Sequence, residues 1–162
     1  MDENELYILA HKFRKAIEFS INNHCLNDAI FNDFPSGCCG DACDLLAQYL
    51  MEHGIKTYYI CGEHYVPAHS EISTYGHTQS HAWLQTENGI IIDITGDQFK
   101  DNNYFSNYNS PIYIGKPDDF HTLFTAYECD IREHKDLYCI DEYYGIRLKS
   151  MYSIIAQNIL CE

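Results

Sequence analysis

The stretch SHAWLQTENGIIIDIT, residues 80–95, constrains this chain more tightly than any other. Two β-rich runs flank Glu87-Asn88-Gly89, which reads as a hairpin. A two-residue turn at Asn88-Gly89 would set Leu84 opposite Asp93 and Ala82 opposite Thr95, mixing apolar and polar residues on each face. A three-residue loop with Gly89 left-handed is the next commonest connection. It sets Leu84 opposite Ile92 and Ala82 opposite Ile94. One face then carries Ala82, Leu84, Thr86, Ile90, Ile92 and Ile94, and is a core face. The other carries His81, Trp83, Gln85, Ile91, Asp93 and Thr95. A one-residue slip would exchange one strand's faces, so burial selects this register. Thr95 then lies opposite His81, and Asp93 is diagonal to it, within side-chain reach. A carboxylate in that place orients the imidazole and favours its charged form.

The rest of the chain supplies the layers such a hairpin needs. Leu6, Leu9, Phe13, Ala16, Ile17 and Ile21 have helical spacing, which predicts a first helix over 4–21. Residues 22–37 read as a loop. Ala42, Leu45, Leu46, Tyr49 and Leu50 predict a second helix over 40–53, ended by a left-handed Gly54. A strand is expected at 55–62, a long polar loop at 63–79 and a short strand at 110–115. Helices are expected at 118–138 and 144–160. Helices segregated from a run of strands predict one α+β domain over 1–162 with an antiparallel sheet.

Charge and hydropathy then exclude function classes. The formal net charge of −14 argues against nucleic acid and anionic membranes and favours a basic partner over an acidic one. No apolar run approaches the ~18–20 residues of a membrane span. The charged opening MDENELYILAHKFRK is no secretory signal, so cytosol, or export without such a signal, is expected. The eight cysteines are too irregularly spaced for a disulfide framework, and in a reducing compartment most behave as small buried hydrophobes.

One cysteine is placed for chemistry. Cys39 stands just before Gly40 at the expected start of the second helix, where free N–H groups and the dipole favour a thiolate. His81 would take its proton and Asp93 would orient His81. Gly37 and Gly40 would let backbone approach a substrate carbonyl. The Cys39 N–H would be one oxyanion donor, with an upstream side chain such as Asn32 a candidate second.

GCCGDACDLLAQYLMEHGIKTYYICG, followed by HAW and IDIT, resembles the core of the transglutaminase-like branch of papain-like cysteine enzymes. In that family a Gly-x-Cys opens a helix, a small residue follows by four, Gly-Ile ends the helix fifteen on, and a strand ends in Gly at plus twenty-three. Counted from Cys39, these fall on Cys43, Gly54-Ile55 and Gly62; counted from Cys38, all are one out. The resemblance covers 35–99 and implies a papain-like core with Cys39 as nucleophile, His81 as base and Asp93 as orienting acid. It implies a hydrolase of amide bonds, a peptidase or glutamine deamidase, working as a monomer on a protein or peptide without metal or cofactor. His81 and Asp93 are only twelve residues apart, and the calcium-site features of the large animal transglutaminases are not recognisable.

Competing readings stand beside this one. An acyltransferase would use the same three residues. Cys38, Cys39, Cys43 and Cys61, with loop histidines, could instead bind zinc in a non-catalytic module, although the CC-x3-C spacing is not a familiar zinc motif. Cys38 and Cys43 otherwise read as packing residues. His64, His69 and His77 read as loop residues, rimming a site or simply solvated. His121 and His134 read as ordinary surface residues on helices. Trp83 would shield the His81–Asp93 bond or be a plain cross-strand aromatic. Asp97, Gln98 and Phe99 are expected to support the site. The many tyrosines could mark an interaction surface, but they are scattered.

Overall fold

The computed structural model describes residues 2–68, 74–140 and 142–159. Among these, three helices pack with a five-stranded antiparallel sheet, an α+β architecture. Helix α1 spans Glu3–Asn22. A capping box starts it: Glu5 N–H donates to Asp2 and Asp2 N–H to Glu5. Helix α2 spans Cys39–Glu52 and ends as expected. Gly54 has φ +74°, its N–H donates to Met51 O, and Ile55 N–H reaches back to Leu50 O.

The strands are β1 (Thr57–Val66), β2 (His77–Thr86), β3 (Ile91–Asp93), β4 (Tyr113–Gly115) and β5 (Ile131–Glu133), in the order β4-β3-β2-β1-β5. Helix α3 covers Tyr143–Ile159. The hairpin takes the register that burial selects: Leu84 faces Ile92, Gln85 faces Ile91, and Gly89 has φ +74°. The expected loop at 63–79 is shorter than read from its polarity. Pairs from Gly62↔His81 to Val66↔His77 extend both strands, which places His64 and His77 on strands. His69 lies outside the described residues.

The expected helix at 118–138 does not form. That segment is three short 3₁₀ turns, His121–Leu123, Glu128–Asp130 and Leu137–Cys139, with β5 between the last two. It runs along the free edge of β1, where β5 pairs through Ile60↔Ile131 and Thr125 bridges Glu63. The chain at Phe124 presses against Gly62, where an added Cβ would come within 2.6 Å of the Phe124 Cβ. Phe120 and Phe124 turn inward, 5% exposed each, and this tertiary demand overrides the helical spacing.

One sheet face meets α2: Ala82, Leu84, Ile92 and Ile94 share a cluster with Leu45, Leu46 and Leu50, and α1 and α3 close it with Phe13, Ile17, Leu148 and Ile155. The other face is covered by turns instead of helices. Ile60, Trp83 and Ile91 there pack with Phe99, Phe105, Phe120 and Phe124.

Candidate active site

Cys39 is the first residue of α2 and is half-buried. The first-turn N–H groups of a helix have no intrahelical acceptor, so they favour a negative sulfur. Asp41 and Asp44 would oppose it from the same helix, but each is paired: Arg147 Nη2 lies 2.7 Å from Asp41 and Arg132 Nη2 2.7 Å from Asp44. His81 and Asp93 come from β2 and β3, both essentially closed to solvent. His81 Nε2 lies 2.9 Å from Asp93 Oδ2. The three residues singled out by sequence therefore lie together, with Cys39 near enough to His81 for each to shift the other's titration.

The electrostatics separate Cys39 from its neighbours. Burial pushes its thiol up, but the hydrogen bond and charge of His81, with the Ala82 backbone N–H, outweigh that and leave it below the ordinary thiol value. Cys38 is driven by burial up to about 12, and burial also raises Cys43 and Cys61. Burial alone would push His81 down; the Asp93 charge and hydrogen bond, then Cys39, carry it above its usual value. For Asp93, burial opposes ionisation, but His81 and His121 hold the carboxyl well below the carboxylate range.

Asp93 is held on every side. Its Oδ1 accepts from the Thr95 N–H at 2.8 Å and from the Thr95 hydroxyl at 3.2 Å. Its Oδ2 is shared between His81 and His121 Nε2, the latter at 3.3 Å. His121 Nδ1 lies 2.6 Å from Asp118 Oδ1, and Tyr108 donates to the other Asp118 oxygen. Gly96 allows this crowding, since an added Cβ would sit 2.8 Å from Asp93 Oδ2. Rings enclose His81: Phe99 meets it edge-on at 5.3 Å between centroids, and Phe120, Phe124 and Trp83 lie within 5.8 Å. The residues after the hairpin support the site as expected. Gln98 Nε2 lies 3.0 Å from His81 Nδ1, and Asp97 takes two hydrogen bonds from the buried Arg14.

The expectations for two histidines are corrected here. His121 is 2% exposed and bonded to Asp93; it is no surface residue. Its signal was hidden because it lies 28 residues from Asp93, on a turn that only tertiary packing creates. His134 is half-buried beyond β5, bonded to Gln48, and not on a helix. Asn32 is exposed, in a surface depression lined by Ile21, His24 and Leu26. The cysteine-rich zinc set does not assemble either. Among the described residues, the group whose donor atoms lie within 4.8 Å of one another is His81, Asp93 and His121, with no cysteine in it.

Compared with protein-family models, with curated proteins and with solved structures, this chain matches none. Among the described residues, no helix is long and apolar enough to cross a membrane.

Proposed function

We propose that the protein is a cysteine hydrolase of amide bonds, of transglutaminase-like, papain-like type, acting as a peptidase or glutamine deamidase. The observation that carries the reading is the line Cys39–His81–Asp93, drawn from a helix start and two strands, with Cys39 the cysteine of its cluster whose thiol is lowered. Sγ of Cys39 gives its proton to His81 and attacks the amide carbon. The oxyanion forms beside the Cys39 N–H at the start of α2. His81 passes the proton to the leaving nitrogen, the C–N bond breaks, and a thioester remains. Water, deprotonated by His81, then releases the carboxylic acid and restores the thiol. No metal or organic cofactor enters these steps. An acyltransferase would differ only in using an amine at the last step, and shows product only when one is supplied. The net charge of −14 favours a basic protein or peptide as substrate.

Site-resolved alkylation tests this. The native protein is treated with substoichiometric iodoacetamide from about pH 5 to about pH 9, and all cysteines are mapped by mass spectrometry. Cys39 should label fastest and keep reacting well below the free-thiol pKa of roughly 8.5. Labelling no faster than at the other cysteines would end the catalytic reading. A depressed thiol and a raised imidazole define a bell: the thiolate is lost as pH falls through the lowered Cys39 value, and the general acid is lost as pH rises through the raised His81 value.

A second reading, a metal-binding module, draws on the His81, Asp93 and His121 donor group. It is the weaker one. Nε2 of each ring already shares its proton with Asp93, so an ion would have to displace both hydrogen bonds, and the placement of Cys39 would be unexplained. Stoichiometric metal in protein purified without chelator would favour it.

A further inference from the structure

Gln98 occupies the side of His81 that the mechanism needs. It sits on the 3₁₀ turn Gly96–Phe99, just after the hairpin. Its Nε2 lies 3.1 Å from the backbone carbonyl of Thr95. A carbonyl oxygen only accepts, so the amide nitrogen, and not its oxygen, must face that way. The second N–H of the same nitrogen then points at His81 Nδ1, 3.0 Å away. An N–H can be received there only by a lone pair. The proton of the neutral ring must therefore be on Nε2, donated to Asp93 Oδ2.

Building on the hydrolase reading, we propose that Gln98 is a positioning residue that keeps His81 in the Nε2–H tautomer by donating to the Nδ1 lone pair, and so holds back transfer of the Cys39 proton. The transfer itself is balanced within the pair. The S–H bond of Cys39 breaks, its electron pair stays on sulfur, and an N–H bond forms at Nδ1. That new N–H cannot coexist with the Gln98 donor, so the Gln98 amide must leave Nδ1 as the ion pair forms. The titratable groups facing His81 are Cys39 from α2, Asp93 from β3 and His121 from the turn His121–Leu123, with Asp118 behind His121. Asp93 and Cys39 both favour the doubly protonated ring. Burial opposes it, and the Gln98 N–H facing Nδ1 opposes it as well. The turn bearing Gln98 is fixed from outside the site: Arg14 of α1 makes two hydrogen bonds to Asp97, at 2.8 and 2.7 Å, and others to Ile94 O and Pro111 O.

The experiment is nitrogen NMR of the full chain with ¹⁵N-labelled histidine, combined with the pH profile of Cys39 alkylation. In the wild type above the raised His81 value, where the ring is neutral, His81 should show a protonated Nε2 and an unprotonated Nδ1. Gln98→Leu removes the competing donor, so His81 should keep its Nδ1 proton to higher pH than in the wild type. Its Cys39 should then alkylate faster near pH 6 by about five-fold, the size of one net hydrogen bond. Gln98→Glu supplies an acceptor to Nδ1–H and should move the acid limb further the same way. A neutral wild-type ring carrying its proton on Nδ1 would overturn the proposal, and needs no variant to be seen. So would a Gln98→Leu profile lowered evenly at every pH with its acid limb in place, which is what a purely structural role gives. An inert Cys39 beside a ring in the expected tautomer would sink the hydrolase and spare the hold of Gln98. A reactive Cys39 beside a neutral ring with its proton on Nδ1 would do the reverse.

Discussion

On the helix side of the sheet, Ala82, Leu84, Ile92 and Ile94 meet aliphatic side chains of α2, and α1 and α3 seal the layer. On the opposite side, Trp83, Ile60 and Ile91 meet four phenylalanines carried on turns and loops. Both sides are dry, but they are dry in different ways. Leucine and isoleucine fill space with little directional demand. Rings meet edge-to-face with defined geometry, and they leave room between them for imidazoles. His81 and His121 are set among those rings, 6.3 Å apart between centroids and joined through Asp93. Water exclusion there strengthens every charge interaction the three make. The helix side thus stabilises the fold, and on the hydrolase reading the turn side aims the proposed chemistry.

Mutations can break or sharpen that division. The largest expected effect is on the turn side. His81→Ala should cost turnover on any amide substrate on the order of 10⁴-fold, about 5.5 kcal/mol of transition-state stabilisation. The same variant should lose the low-pH limb of Cys39 alkylation. Retention of that limb would show that the helix start alone activates the thiol.

Arg14→Leu tests the link between the two sides, because Arg14 leaves α1 to hold the turn beneath the site. Removing one partner of a buried ion pair should destabilise by about 3–5 kcal/mol in urea unfolding. The alkylation profile should change as well, since Gln98 loses its anchor. A stability loss with an unmoved profile would mean that the two sides are energetically separate.

Leu46→Ala, wholly within the helix-side cluster, should cost about 2–5 kcal/mol and leave the pH midpoint of Cys39 alkylation in place. A moved midpoint would mean that the aliphatic layer also aims the site. His121→Asn is the smallest. It removes one hydrogen bond to Asp93, about 1 kcal/mol, and should slow turnover several-fold while shifting the unfolding midpoint little.

The hairpin was legible in the sequence because its information is local. Turn chemistry and alternation along sixteen residues were enough to fix the Leu84↔Ile92 pairing and to bring His81 beside Asp93. The start and end of α2 were legible for the same reason: Gly54 marks the end, and the apolar stripe marks the buried side. The segment 118–138 was not. Phe120, Leu123 and Phe124 have the spacing of a helix, but Phe120 and Phe124 bury themselves against Trp83, Phe99 and Phe105, which are distant in sequence. With that segment misread, His121 could not be placed on Asp93. The support from Gln98 was half legible. Its position just after the hairpin put it near the site, but the direction of its amide depends on the Thr95 carbonyl, which only coordinates reveal.

Thr95 serves both sides of the imidazole. Its N–H and hydroxyl hold the carboxylate bonded to Nε2, and its carbonyl holds the amide bonded to Nδ1. Two independent supports would drift separately with thermal motion, and their errors would add at the ring. Two arms mounted on one residue drift together, so the displacement is common to both and their difference, which sets the ring's tilt, stays small. Thr95 is in this sense the datum from which the alignment of the proposed base is measured, although it would take no part in the proposed reaction.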